Sequence, residues 1–335
     1  MTRRALVAVL LICLAVVGPA GIAHADPAKP SNAQSRVVSL NPPVAGVKVD
    51  IVGGDGFVQL QVAKGTDVVV LGYAAEPYVE VEADGTVRLN DRSPAVGINR
   101  RRDASSGPQA GADSGAPPEW KVVGHSGTYL WHDHRVHWMA PDVTPPPLVP
   151  WDVGLVVNGQ PVTVHGELRQ LPAPTSWPWE ALAITVAAIA LVALWVRPRM
   201  VPLALTVVGV AATVVGFSEI AHLPTLAQPG PRSWALPLAA LAMVAVSVLP
   251  IDALRPLRRP ALVGAGGTLA VWAFQRRTAL TRRLLITGLP TWLERSIVAI
   301  TFGVAAAATI VVLALIVTAY SAYSSPNHAG ARSSK

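Results

Sequence analysis

Residues 162–171 read Val-Thr-Val-His-Gly-Glu-Leu-Arg-Gln-Leu, followed by Pro172-Ala173-Pro174-Thr175-Ser176-Trp177-Pro178. Residues 179–196 then run Trp-Glu-Ala-Leu-Ala-Ile-Thr-Val-Ala-Ala-Ile-Ala-Leu-Val-Ala-Leu-Trp-Val, with Glu180 as the single charge. The first stretch alternates with the period of two expected of a strand. The second is proline-rich and extended, a short stiff stalk. The third is apolar for long enough to cross a bilayer. A β region therefore ends and a membrane region begins within a few residues.

Composition agrees. The chain of 335 residues is 51% hydrophobic and 14% charged, with a mean hydropathy of +0.43. A soluble domain carries roughly 25% charged residues. The formal charge of +7 is not spread evenly. Residues 26–177 hold 12 Lys/Arg against 16 Asp/Glu, whereas residues 178–335 hold 13 against 4. An excess confined to the apolar half points to membrane topology rather than to nucleic acid, which is excluded as a partner.

Residues 1–25 read as a secretory signal peptide. Arg3-Arg4 precede an apolar stretch, and Ala23-His24-Ala25 supplies a small-residue cleavage site. The only cysteine, Cys13, lies inside it, so the mature chain can form no disulfide and no thiolate site. The signal places residues 26–171 outside the cytoplasm.

That region reads as an all-β sandwich. Val47–Ile51 and Phe57–Val62 alternate around the turn Gly53-Gly54-Asp55-Gly56, and residues 67–71 suit burial on both faces. Asp84-Gly85 and Asn158-Gly159 each mark a tight hairpin. About ten strands are expected, and no helical period is visible. Residues 100–118 have nothing to bury and are expected to form a mobile loop. Residues 172–178 form the stalk, with Trp177 and Trp179 as anchors at the membrane interface.

The membrane region spans 179–320, with crossings at 179–196, 201–220, 234–251 and 296–320, and an undecided fifth at 261–274. Four or five helices are thus expected, followed by a polar tail at 321–335. Arg197, Arg199, Arg255, Arg258 and Arg259 fall on the cytoplasmic side, as the positive-inside rule requires. The chain reads as a multi-pass protein of the cell membrane with a large extracytoplasmic N-terminal domain, in contact with the lipid bilayer and with a protein partner in the envelope.

The densest chemistry is Tyr129-Leu130-Trp131-His132-Asp133-His134-Arg135-Val136-His137-Trp138-Met139. As a strand, it would place His132 and His134 on one face with Val136 and Trp138. A His-x-His pair can offer two imidazoles to one metal. His132, His134, His137 and His125 form the candidate set, and copper or zinc is the metal suited to imidazole without thiolate. The competing reading is structural, with an Asp133–Arg135 bridge and packed tryptophans. In it, Trp131, Trp138, Asp133 and Arg135 form a surface for a partner.

Together with Val69-Val70-Leu71-Gly72-Tyr73, Glu76-Pro77-Tyr78 and Gly288-Leu289-Pro290-Thr291-Trp292-Leu293, this stretch resembles a group of actinobacterial membrane proteins. In that group a signal peptide, a β ectodomain with W-H-D-H-R-x-H-W-M and C-terminal helices occur in this order. The resemblance implies architecture and carries no activity. The arginines around residues 278–281 depart from the group's pattern.

No nucleophile elbow, P-loop, dinucleotide fingerprint or H-E-x-x-H motif occurs, so no catalytic activity is assigned. Glu219 and His222 share a helix face at the outer end of the second crossing, where they are expected as a solvated pair at headgroup depth. The sequence therefore reads as a membrane-anchored binding or interaction protein. A metal-binding module is the alternative, and a transporter subunit a more distant one.

Overall fold

The computed structural model describes residues 27–100, 107–139 and 146–324. The expected signal peptide at 1–25, Arg101-Arg102 and the part of the expected tail from 325 onward lie outside the described residues. Ten strands form the N-terminal domain: β1 (Ala33–Asn41), β2 (Val47–Val52), β3 (Phe57–Val62), β4 (Val68–Leu71), β5 (Pro77–Val81), β6 (Val87–Asn90), β7 (Trp120–Gly124), β8 (Thr128–Trp131), β9 (Leu148–Val157) and β10 (Gln160–Gln170). They make a seven-stranded sheet, β1-β10-β9-β4-β5-β6-β7, and a three-stranded sheet, β2-β3-β8. All pairings are antiparallel.

Alternation determines what is buried. Val49, Val58 and Leu60 of the small sheet meet Val68, Val70, Val79, Val81, Val153 and Leu155 of the large one in a single core. Each such side chain, fully buried, contributes about 1.5–3 kcal/mol of transfer free energy. Strand β4 lies between β5 and β9, in the interior of the sheet, which accounts for its continuous apolar run. The Asn158-Gly159 turn has positive φ at both residues, 48° and 79°, and closes the β9–β10 hairpin in the primed geometry that matches strand twist. At Asp84-Gly85 only the glycine is left-handed, at φ 92°.

One expectation for this domain is corrected. Helix α1 (Pro94–Ile98) interrupts the strands: Ser93 caps Ala95 N–H and Pro94 opens the first turn. Its single turn is too short to register as a period. In the described part of the 100–118 loop, Asp113 N–H donates to the Arg92 carbonyl at 2.8 Å. A Cβ on Gly97 would stand 2.4 Å from the Gln109 nitrogen, so the loop packs directly on α1.

Five helices follow: α2 (Trp177–Val196), α3 (Val201–His222), α4 (Arg232–Val248), α5 (Arg258–Gln275) and α6 (Thr291–Ser324). Three segments are long and apolar enough to cross a membrane, rather than four or five: Trp177–Val196, Pro198–His222 and Thr291–Ser321. Helix α4 has 17 residues and falls short in length. Helix α5 opens on Arg258-Arg259 and carries Gly264, Gly266 and Gly267, which lower its apolarity.

The five helices nevertheless share one core, with Leu205, Leu236, Leu269 and Val311 buried among α3, α4, α5 and α6. Small residues permit the close approaches. A Cβ on Gly216 would stand 2.3 Å from the Ser233 carbonyl, and one on Gly303 would stand 2.6 Å from that of Ala183.

The β domain is docked on one end of this bundle. Ser31 and Leu284 form an isolated antiparallel bridge, with N–H···O distances of 3.1 and 2.9 Å. Ala28 N–H donates to the Ala227 carbonyl at 3.0 Å, and Asn32 Oδ1 accepts from Arg283 N–H at 2.7 Å. Phe57 and Leu130 of the small sheet are buried against Leu223, Ala227 and Ile286.

Candidate functional site

The Tyr129–Met139 stretch stops being a strand at Trp131, where β8 ends. The cause is Asp133. Its carboxylate accepts Arg135 N–H at 3.0 Å, and its carbonyl accepts Val136 N–H at 3.1 Å. Such local bonds offer the backbone an alternative to the ladder. The alternation of His132 and His134 on one strand face is therefore not realised.

Asp133 is wholly buried and both its oxygens are used. Oδ2 accepts from Trp131 Nε1 at 3.0 Å and Arg135 Nη2 at 2.6 Å, and Oδ1 accepts from Arg135 Nε at 2.8 Å. Burial opposes the charge of Asp133. The hydrogen bonds and charge of Arg135, with the Trp131 bond, outweigh it and hold the carboxyl below its usual range. Tyr73 lies against the Arg135 guanidinium at 4.8 Å, and its hydroxyl accepts His134 N–H at 2.9 Å. Burial, then the charge of Asp133, raises the Tyr73 hydroxyl well above its ordinary pKa.

Glu76, from the neighbouring motif, has its own partners. Glu76 is buried and accepts Ser93 Oγ–H at 2.6 Å and Ala74 N–H at 2.9 Å. A Cβ on Gly72 would stand 1.9 Å from Glu76 Oε1, which is why the turn has glycine there. Tyr73 and Asp133, distant in sequence, thus belong to one polar cluster, with the Glu76–Ser93 pair as a second buried polar contact nearby in the chain.

The four candidate metal-ligating histidines are dispersed. His132 is buried, stacked on Phe57 at 4.1 Å, with Nδ1 on the Gly56 carbonyl. The His134 and His137 rings meet edge to face at 5.3 Å, and His137 Nδ1 lies 3.2 Å from the Asp133 carbonyl. His125 stands apart near Thr86 Oγ1, at 3.3 Å. Among the described residues no group of three His, Cys, Asp or Glu is placed to hold one metal. The expected partner surface is also internal: Trp131 and Asp133 are buried, and Trp138 packs against the core.

A second cluster lies at the end of the bundle that carries the β domain. The Arg276 guanidinium joins two carboxylates, with Nη2 2.7 Å from Glu219 Oε1 and 2.9 Å from Glu294 Oε1. Glu294 Oε2 accepts Thr287 Oγ1–H at 2.6 Å. Arg276 lies over the Trp272 ring at 5.3 Å, and Trp272 Nε1 donates to the Ser233 carbonyl at 2.8 Å. Glu219 and Glu294 are 2% and 0% exposed. The expected solvated Glu219–His222 pair is thereby replaced: Glu219 turns inward to Arg276, while His222 is exposed beside Gly288.

This cluster forms the floor of a cavity of about 730 Å³. Pro27, Ala28 and Ile286 supply apolar wall, and Lys29, Arg232 and Arg282 line it as exposed residues. Glu219 Oε2 and Arg276 Nε have no hydrogen-bond partner among the described residues. Trp177, the half-buried Trp179 and Trp292 stand in the first turns of α2 and α6 at this same end. Sequence reasoning singled out Glu219 as an ionisable group in an apolar helix but gave it the wrong partner. Comparison with protein-family models, with curated proteins and with solved structures finds no match.

Proposed function

We propose that this chain is a membrane-anchored extracytoplasmic binding protein of the cell envelope, and that its ligand site is the cavity where the β domain meets the helices. The observation that carries this reading is the cavity itself, which the β domain's own N-terminal segment, residues 27–30, helps to enclose over the buried Glu219–Arg276–Glu294 cluster. Buried polar groups are normally satisfied, and Glu219 Oε2 beside this cavity is an exception. The volume lies in the roughly 300–1,000 Å³ range of small-molecule sites. The two sheets act as a sandwich-like cover rather than as a metal module, and the bundle holds the floor at the depth of the tryptophan girdle. The cluster around residues 276–290 then faces the same side as the β domain, and Arg197, Arg199, Arg255, Arg258 and Arg259 face the cytoplasm.

The test exploits the lack of cysteine outside the N-terminal segment. Ser31→Cys with Leu284→Cys places two thiols across the bridge between domain and bundle. The full chain in membranes should form this disulfide without added catalyst in an oxidising compartment. Failure to cross-link, with each single cysteine accessible to a thiol reagent, overturns the docked-domain reading.

A further inference from the structure

The charges that line the cavity do not balance, and the imbalance specifies a ligand. Its acidic lining residues are Glu219 and Glu294, both buried. Arg276 bridges the two carboxylates, and the buried Arg295 stands next to Glu294 in α6, so two guanidiniums match two carboxylates there. Arg295 is held by the Ala279 and Arg282 carbonyls, which accept its Nε–H and Nη2–H at 3.0 and 2.9 Å. Lys29 and Arg282 remain. Both line the cavity as exposed residues, and neither side chain has an ion-pair partner among the described residues. They come from opposite sides of the junction. Lys29 lies between Ala28 and Ser31, which bond to Ala227 and Leu284, and Arg282 lies two residues before Leu284. Pro27, Pro30, Trp272 and Ile286 add apolar wall to the same cavity.

We infer that the cavity is an anion site, in which a phosphate group is held between Lys29 and Arg282 and belongs to an anionic phospholipid. This rests on the cavity being the ligand site, as proposed above. A guanidinium offers phosphate a fork of donors and an ammonium a point charge, so one phosphate satisfies both. A zwitterionic headgroup would carry its own cation into a site that already holds two unmatched ones. The lipid source is favoured by position. Trp177 and Trp292 are exposed in the first turns of α2 and α6 at this end, and such residues settle at headgroup level. Free glycerol phosphate shares the chemistry, and the experiment separates the two. A phosphate bound here touches both the β domain's segment and the bundle, so ligand binding and docking support each other.

The full-length protein is reconstituted in nanodiscs holding equal phosphatidylglycerol, phosphatidylcholine and phosphatidylethanolamine. Annular lipid is then stripped with detergent, and retained lipid is counted by native mass spectrometry. Phosphatidylglycerol should be retained in preference to the two zwitterionic lipids, which share its phosphate but not its net charge. Lys29→Ala and Arg282→Ala each remove one exposed charge and should lower that preference about two- to fivefold, the scale of an exposed ion pair. Together they should abolish it, whereas Lys29→Arg should keep it. Arg197→Ala with Arg199→Ala, exposed at the other end of the bundle, should leave it unchanged.

Displacement of the retained lipid by millimolar glycerol phosphate assigns the site to free phosphate esters and overturns the lipid source. Resistance to it supports the intact lipid. Equal retention of the three lipids by the unaltered protein overturns the assignment. So does a preference that survives Lys29→Ala with Arg282→Ala, or one lost instead with the 197–199 pair, which places the lipid at the opposite end. If the 31–284 disulfide still forms in those cases, the ligand class falls while the docked junction stands.

Discussion

The two buried charge clusters differ in whether they are closed. Around Asp133, both carboxylate oxygens are occupied by the Arg135 fork and by Trp131. Around Arg276, each of Glu219 and Glu294 gives one oxygen to the guanidinium, but only Glu294 finds a second donor, in Thr287. Both clusters lie below the surface, yet one faces packed protein and the other a cavity. A closed cluster fixes a fold: replacing any member leaves a buried partner stranded. An open one has a valence to spare, which is what a binding site requires. The sequence is louder at the closed cluster, with three histidines and two tryptophans in nine residues, 131–139. Density of reactive side chains and availability for chemistry are therefore separate properties.

The largest effect expected from this contrast is on stability. Asp133→Ala strands the Arg135 guanidinium, whose side chain is 21% exposed, and should cost about 3–5 kcal/mol. Glu219→Gln leaves Arg276 with Glu294 and retains an acceptor, and should cost under about 1 kcal/mol. Denaturant unfolding of the full chain, followed by tryptophan fluorescence, compares the two. Equal costs would erase the distinction between a closed and an open cluster.

Acid probes the same contrast more gently. Asp133 has a depressed pKa in the folded protein, so its contribution is present above the unfolded value, near 3.9, and is lost as pH falls through the folded one. The β domain should lose stability below about pH 4, and Asp133→Asn should flatten that step. Hydrogen exchange at Trp131 and Tyr73 across this range measures it. A step of the same size in Asp133→Asn would mean that another carboxylate is responsible.

Much of the fold is legible from local chemistry. Asn158-Gly159 dictates its own turn, the apolar run at β4 fits an interior strand, and residues 172–176 lead directly into the first long helix, which takes up Trp177 and Pro178. What was not legible depends on contacts distant in sequence. Asp133 ends its strand because a buried acceptor captures local N–H donors, and alternation alone does not reveal burial. Glu219 has a helix neighbour at His222 three residues on, but its partner is Arg276, 57 residues away. Docking of the β domain rests on Ser31 and Leu284, neither of which carries a motif.

The smallest effect is expected where the sequence drew most attention. Copper or zinc bound by the histidine stretch would have to use His134 and His137, whose rings are 5.3 Å apart. His132 is stacked on Phe57 with its Nδ1 on the Gly56 carbonyl, so recruiting it would break a packed contact of the β domain. Two imidazoles leave a tetrahedral site half-built, and such sites ordinarily need at least three protein ligands. Titration calorimetry of the full chain with Cu(II) and Zn(II) should therefore give no saturable heat at micromolar metal. His134→Ala with His137→Ala should leave both the titration and the unfolding midpoint nearly unchanged. Saturable one-to-one binding that this double substitution abolishes would mean that the 131–139 cluster opens in solution, and the contrast with the Glu219 cavity would then be one of degree.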